Sequence, residues 1–237
     1  LISTISALPS AVGEAQRNGV PDGDGVLEFG LRRAQGPDAG LYGARAAMIG
    51  GCVGTSDVLA GQLFDVPVRG THAHSWIMSF EDEYTAFKTY ANLYPSSCIL
   101  LVDTYDTLKS GVPNAIRVFT EMREAGIELK NYGIRLDSGD LAYLSAECRR
   151  LLDEHGLTNC KIFATNSLDE YLITDLERQG ACIDCYGVGD AIATSKANPC
   201  FGNVYKLVEI DGQAVLKRSE DKIKLINPGF QITYRIM

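Results

Sequence analysis

Residues 131–156 read NYGIRLDSGDLAYLSAECRRLLDEHG. The first part, NYGIRLD (131–137), has the short apolar alternation of a strand. The second, SGDLAYLSAECRRLLDEHG (138–156), carries apolar residues at helical spacing, an Asp near its start and a closing Gly, so it predicts a helix. A strand that runs straight into a helix is the unit from which parallel sheets are built.

The same unit recurs on both sides. Upstream, GVLEF (25–29) reads as a strand and GLYGARAAMIGG (40–51) as a helix of small residues. DVLAGQLF (57–64) reads as a second helix, VPVRGT (66–71) as a strand and EDEYTAFKTYANLY (81–94) as a helix with acids in its first turn. CILLVD (98–103) is continuously apolar, as expected of a strand buried on both faces. VPNAIRVFTEMREAG (112–126) is a helix with Pro near its start and Gly at its end. Downstream, CKIFAT (160–165) is a strand, SLDEYLITDLERQG (167–180) a helix, and CIDCYGVG (182–189) a strand with its loop. VYKLVEIDGQAVLKRS (204–219) reads as a hairpin turning at Asp-Gly.

An α/β chain of this kind closes into a (β/α) barrel or opens into a doubly wound sheet. The polar residues decide for the barrel. Glu28, the 70–75 loop, Asp103, Arg135 with Asp137, Asn166 and the 187–190 glycines fall at one strand end after another. Loops after successive strands ring a single site in a barrel, whereas an open sheet uses one switch point. Residues 26–237 are expected to form the barrel domain. Residues 1–25 form a leading segment whose stretch SAVGEAQRNGVPDGDG (10–25) is expected to be a mobile loop.

Composition narrows the function. The chain has 237 residues, 46% hydrophobic and 22% charged, with a net charge of −8. There is no basic stripe for a nucleic acid and no apolar run of membrane length. The first residues form no signal peptide, and the chain lacks a starting Met, which leaves open whether it is a piece of a longer one. Seven scattered cysteines, including the CIDC of 182–185, are expected to be buried free thiols, which implies a cytoplasmic protein.

Three stretches carry chemistry. GTHAHSW (70–76) holds two of the three histidines. His72 and His74 could share a metal, sit as loop histidines, or present a reactive imidazole. GIRLDSGDL (133–141) gathers Arg135 and Asp137 at a strand-to-helix turn. Either Asp137 or Ser138 could cap the helix; alternatively Arg135 could grip a carboxylate while Asp137 takes ribose hydroxyls or Mg2+. Asp103 either adds a second carboxylate or ends its strand. YGVGDAIATS (186–195) offers backbone N–H groups at a Gly-rich turn, which suits phosphate.

Together with LEFGLRRAQGPDAG (27–40), IGGCVGTSDVLAGQLF (49–64), LLVDTYDT (100–107), TNSLDEY (165–171) and FGNVYKLVEI (201–210), these stretches resemble the nicotinate phosphoribosyltransferase family, in the family's order. The resemblance implies an irregular barrel of the type II phosphoribosyltransferase kind. It implies the joining of nicotinate to phosphoribosyl pyrophosphate, with ATP hydrolysis coupled through a phosphohistidine and Mg2+ carried by the substrate. By the same resemblance His74 is the phosphorylated residue, and Ser75 of its motif faces substrate. Thr71 and Arg135 contact nicotinate, while Phe29 and Arg32 line the base pocket. Asn166, Gly187, Gly189 and Asp190 take the ribose 5′-phosphate. Apart from the resemblance, charge growing on the sugar calls for nearby anions, which points to Asp137 for the sugar hydroxyls or the metal and leaves Asp103 as a second carboxylate or a strand end. Many relatives carry Thr where Asp190 stands, so the role of this acid is open. The family's chains are about twice as long, with a further N-terminal domain, and they dimerise. The alternatives are a nicotinamide or quinolinate phosphoribosyltransferase, or a barrel that binds nucleotides without turnover.

Overall fold

A computed structural model describes residues 25–195, 207–215, 227–232 and 234. Six strands build one parallel sheet: β1 (Val26–Glu28), β2 (Gly54–Thr55), β3 (Ser97–Leu101), β4 (Asn131–Leu136), β5 (Lys161–Ala164) and β6 (Cys185–Val188). Their order is β2-β1-β6-β5-β4-β3. Read around a ring, that order is strictly sequential, with the first strand paired to the last and, among the described residues, an opening between β2 and β3. A doubly wound sheet would reverse direction partway. The sheet is therefore a curled, unclosed barrel.

The period-two alternation of the strands sorts their side chains. Cys98, Leu100 and Val102, then Tyr132, Ile134 and Leu136, then Ile162 and Ala164 belong to the hydrophobic core. Their neighbours point to the barrel axis. Register places Leu101 opposite Arg135, Arg135 opposite Phe163, and Phe163 opposite Cys185. One inward layer thus contains a guanidinium. Beneath it lies a cavity of about 450 Å3 lined by Leu27, Ile99, Lys161, Phe163, Tyr90 and Tyr94, in a place that barrels usually fill.

The helices are α1 (Pro37–Ile49), α2 (Val58–Phe64), α3 (His74–Met78), α4 (Glu83–Leu93), α5 (Val112–Glu124), α6 (Leu141–Glu154), α7 (Glu170–Arg178) and α8 (Asp190–Ala193). Aspartates start several of them. Asp57, Asp82, Asp140 and Asp169 each accept the N–H of the third residue onward, satisfying one orphan donor of the first turn. The cap of α6 is thus Asp140. Neither Asp137 nor Ser138 caps the helix, which leaves both for the loop above.

Two expectations change. VPVRGT (66–71) is not a strand: Val68 makes one isolated bridge to Thr55. Pro67 has no N–H to give, so this segment adds only Thr55 N–H to the Pro67 carbonyl and Arg69 N–H to the Thr55 carbonyl, each at 2.9 Å. Second, the loop after it ends in a short helix with His74 at its first position.

Asp106 caps a π-helical turn, Thr107–Gly111, that leads into α5. Gly111 lies against the backbone of Val102, so close that a Cβ there would stand 1.8 Å from the Val102 carbonyl oxygen.

Contacts divide the chain at Pro199 into two compact units. The second contains the antiparallel pair β7 (Glu209–Ile210) and β8 (Gln213–Ala214), turning at Asp211 and Gly212 with φ of 49° and 73°. Both central residues are left-handed, as the Asp-Gly reading requires. Residues 10–24 of the expected mobile loop, and Cys200, lie outside the described residues. Among the described residues no helix is long and apolar enough to cross a membrane, and the six cysteines are free.

Candidate active site

The inward residues at the strand C-terminal ends open into a pocket of about 250 Å3. Phe29 follows β1, Ala73 and His74 begin α3, and Arg135 and Asp137 come from β4 and its loop. Thr165, Asn166 and Ser167 follow β5, while Gly187, Gly189 and Asp190 belong to β6 and its loop. Arg32 and Arg33 enter from the 3-10 turn after β1.

His74 Nε2 lies 3.1 Å from Asp103 Oδ1. The imidazole is 38% exposed, whereas the Asp103 side chain is 1% exposed. The other oxygen of Asp103 accepts the Asp137 N–H at 2.8 Å and the Ser138 hydroxyl at 2.6 Å. Asp103 therefore does more than end its strand. It stands behind the pocket, orients the imidazole and holds the loop that carries Asp137. An ionised carboxylate only accepts, so Nε2 is the donor, and in the neutral tautomer that this contact selects the lone pair is on Nδ1. Asp137 Oδ1 in turn accepts the Thr165 hydroxyl.

Arg135 is held from behind. Its Nη1 donates to the Thr71 hydroxyl and to the His72 carbonyl, the latter at 3.2 Å. Its Nε is buried without a protein partner. Burial pulls the guanidinium below its usual value, and the charges of Asp137 and Asp103 work against that pull. A buried cation with unspent donors fits a carboxylate ligand.

The two histidines turn to different partners, since His72 Nε2 accepts the Leu101 N–H at 3.2 Å. Across the pocket, Asn166 and Ser167 both have positive φ, 89° and 50°, a backbone form that non-glycine residues adopt at a cost and that clusters at functional sites. Gly187 is needed for space: a Cβ there would stand 2.7 Å from both Phe29 Cδ2 and Thr165 Cγ2. Glu28 fixes the loop after β1. It accepts the Gly30 N–H at 2.5 Å and the Thr55 hydroxyl at 2.6 Å, and burial raises its carboxyl above the usual value.

Of the residues expected from sequence, Phe29, Arg32, His74, Arg135, Asp137, Asn166, Gly187, Gly189 and Asp190 share this pocket. Thr71 stands behind it as the brace of Arg135, and Ser75 is exposed on α3, outside the lining. Arg33, Thr165 and Ser167 were not expected. Thr165 follows from the alternation of β5, two positions after inward Phe163.

Residues 25–173 match the Nicotinate phosphoribosyltransferase (NAPRTase) family. A nicotinate phosphoribosyltransferase of Bacillus subtilis is 51% identical over 227 residues, covering 94% of this chain and 46% of its own. The chain belongs to the nicotinate phosphoribosyltransferase family. A nicotinate phosphoribosyltransferase of Dictyostelium discoideum is 40% identical over 256 residues, or 89% of this chain and 43% of that one. Among solved structures, human nicotinic acid phosphoribosyltransferase superposes with a TM-score of 0.71 at 29% identity, over 91% of this chain and 50% of its own. The chain thus spans about half the length of the nicotinate phosphoribosyltransferases it matches.

Proposed function

We propose that this chain supplies the catalytic barrel of an enzyme of NAD biosynthesis that joins nicotinate to 5-phosphoribosyl 1-pyrophosphate. The products are nicotinate mononucleotide and pyrophosphate, and ATP hydrolysis is coupled through a phosphohistidine on His74. One observation carries the reading. A single strand-end pocket holds an imidazole backed by a buried carboxylate, a buried guanidinium, and a carboxylate on the loop between them.

Each group has a task that its surroundings suit. The ring nitrogen of nicotinate attacks the ribose carbon while the bond to pyrophosphate breaks, and positive charge grows on the sugar. Asp137 sets negative charge near it. Arg135 takes the nicotinate carboxylate, with Phe29 beside the ring. Backbone N–H groups around Gly187 and Gly189 receive the 5′-phosphate, joined by Arg32 and Arg33. In the coupled step, the Nδ1 lone pair of His74 attacks the γ-phosphorus of ATP and ADP leaves. Asp103 accepts from Nε2–H and steadies the charge that the ring acquires.

No cluster of three or more His, Cys, Asp or Glu side chains that could hold a metal occurs among the described residues. Among the described residues Asp137 and Asp190 are the carboxylates that line the pocket. That donor set fits Mg2+ brought by substrate, since Mg2+ takes one or two carboxylates and leaves its other positions to phosphates and water. It would supply charge neutralisation on the pyrophosphate. The free cysteines support a reducing, cytoplasmic setting. Exposed Val58, Leu59 and Leu63 on α2 support a covered face, as in a homodimer.

The test is γ-labelled ATP given to the protein at its full natural length. Acid-labile, base-stable label is expected, absent in His74→Asn and placed on Nδ1 in phosphohistidine-isomer analysis. No label on wild-type protein, or full label on His74→Asn, rejects the phosphohistidine.

A further inference from the structure

β3 is an edge of the open barrel, paired only with β4 among the described residues. A buried amide on such an edge is costly when unpaired. Beside Leu101 the missing partner is a side chain. The Leu101 N–H donates to His72 Nε2 at 3.2 Å, and His72 is only 7% exposed. Its ring stands edge-on to Tyr90, with centroids 4.6 Å apart, and near Phe87 at 6.2 Å. The backbone of the same residue holds Arg135. The His72 carbonyl accepts from Arg135 Nη1 and from the Thr71 hydroxyl, each at 3.2 Å. Leu101 lies opposite Arg135 in the β3–β4 register and shortly before Asp103. His74 follows His72 after a single residue.

We propose that His72 is a positioning residue, an imidazole that stands in for a missing strand at the barrel seam and thereby sets both His74 and Arg135 against the β3–β4 edge. Its side chain fixes the end of β3, from which Asp103 reaches His74. Its main chain fixes the guanidinium. The phosphoryl-accepting and base-reading groups therefore hang from one joint. The hydrogen bond requires Nε2 to keep its lone pair, so the ring works in its neutral form. Burial supports this by pushing its pKa down to about 4.

The inference rests on the proposed function for two of its three readouts, and the third stands alone. Gln places an oxygen at the position of Nε2. Asn places one at the position of Nδ1, and Phe keeps the ring packing without an acceptor. In the full-length protein, amide exchange at Leu101 should stay slow in His72→Gln and quicken in His72→Asn and His72→Phe. The rate of His74 labelling by γ-labelled ATP should fall about ten-fold in the Asn and Phe variants, and the apparent constant for nicotinate should rise about ten-fold, the size of one lost buried hydrogen bond. Final label stoichiometry should stay at the wild-type level, because the nucleophile is intact. His72→Gln should recover most of both rates. Wild-type kinetics in His72→Phe, or equal damage in all three variants, would overturn the proposal. Unlabelled wild-type protein would instead remove the phosphohistidine reading, and Leu101 exchange with the nicotinate constant would then decide on His72.

Discussion

Arg135 is braced by Thr71 and His72 on Nη1 alone, and its Nε is buried without a protein partner, so the brace leaves part of the guanidinium fork unspent. Lys has a single ammonium and cannot serve the brace and a planar carboxylate together. Arg135→Lys should weaken nicotinate by about ten- to a hundred-fold, the worth of a charge-assisted pair of roughly 1.5–3 kcal/mol. Nicotinamide should lose far less. Competition binding with both bases measures it, and equal losses would show that Arg135 does not read the carboxylate. His72 gives a second expectation, about acid. Desolvation by burial, aided by the nearby charges of Arg135 and His74, holds its pKa near 4 against an ordinary 6.5. Between those values the unfolded chain binds the proton and the folded chain does not. The stability is therefore fully present above the window and is lost as pH falls through it, by about 3 kcal/mol in all. Denaturant unfolding at pH 7 and at pH 4.5 should show a smaller drop for His72→Gln than for wild type. An equal drop would locate the acid sensitivity elsewhere.

At the scale of elements, the π-helical turn after β3 depends on one missing side chain. Gly111 has an ordinary φ of −58°, so the demand is for space and not for backbone freedom. Gly111→Ala sets a methyl into the Val102 carbonyl and should cost at least ~2–3 kcal/mol, measured as a lowered denaturation midpoint. Wild-type stability would mean that the turn relaxes freely. This turn was not legible in the sequence, because its cause is a contact between residues on two elements. Continuous apolar runs such as Cys98–Val102 were legible, since burial on both faces leaves no other pattern. VPVRGT misled because valines at alternate positions resemble a strand, while Pro67 withholds the donor that a ladder needs. Ser75, expected at the site from the resemblance alone, lies on α3 and is exposed. Asp103 was legible as a strand-end acid, but its grip on His74, Asp137 and Ser138 together required the ring of strands.

For the molecule as a whole, the barrel was legible from polar residues at successive strand ends, and the opening between β2 and β3 was not. The opening predicts uneven protection. β4 and β5 are paired on both sides, whereas β2 has two residues and a bridge as its outer partner. Amide hydrogen exchange should be slowest at Ile134 and Ile162 and much faster at Thr55 and Arg69. Uniform protection across all six strands would indicate a ring closed in solution.

The pairing of β1 with β6 also has a consequence on the ribosome. The Cys185 thiol donates to the Gly25 carbonyl across 160 positions of chain. At translation rates of roughly 5–20 residues per second, β6 leaves the exit tunnel about 10–30 s after β1. Through that interval β1 keeps one row of amides and carbonyls open, an edge that another strand can occupy. β3, β4 and β5 follow one another and can pair as they emerge, but β1 must wait. A nascent chain stalled ahead of Cys185 would therefore hold this edge exposed for as long as the stall lasts.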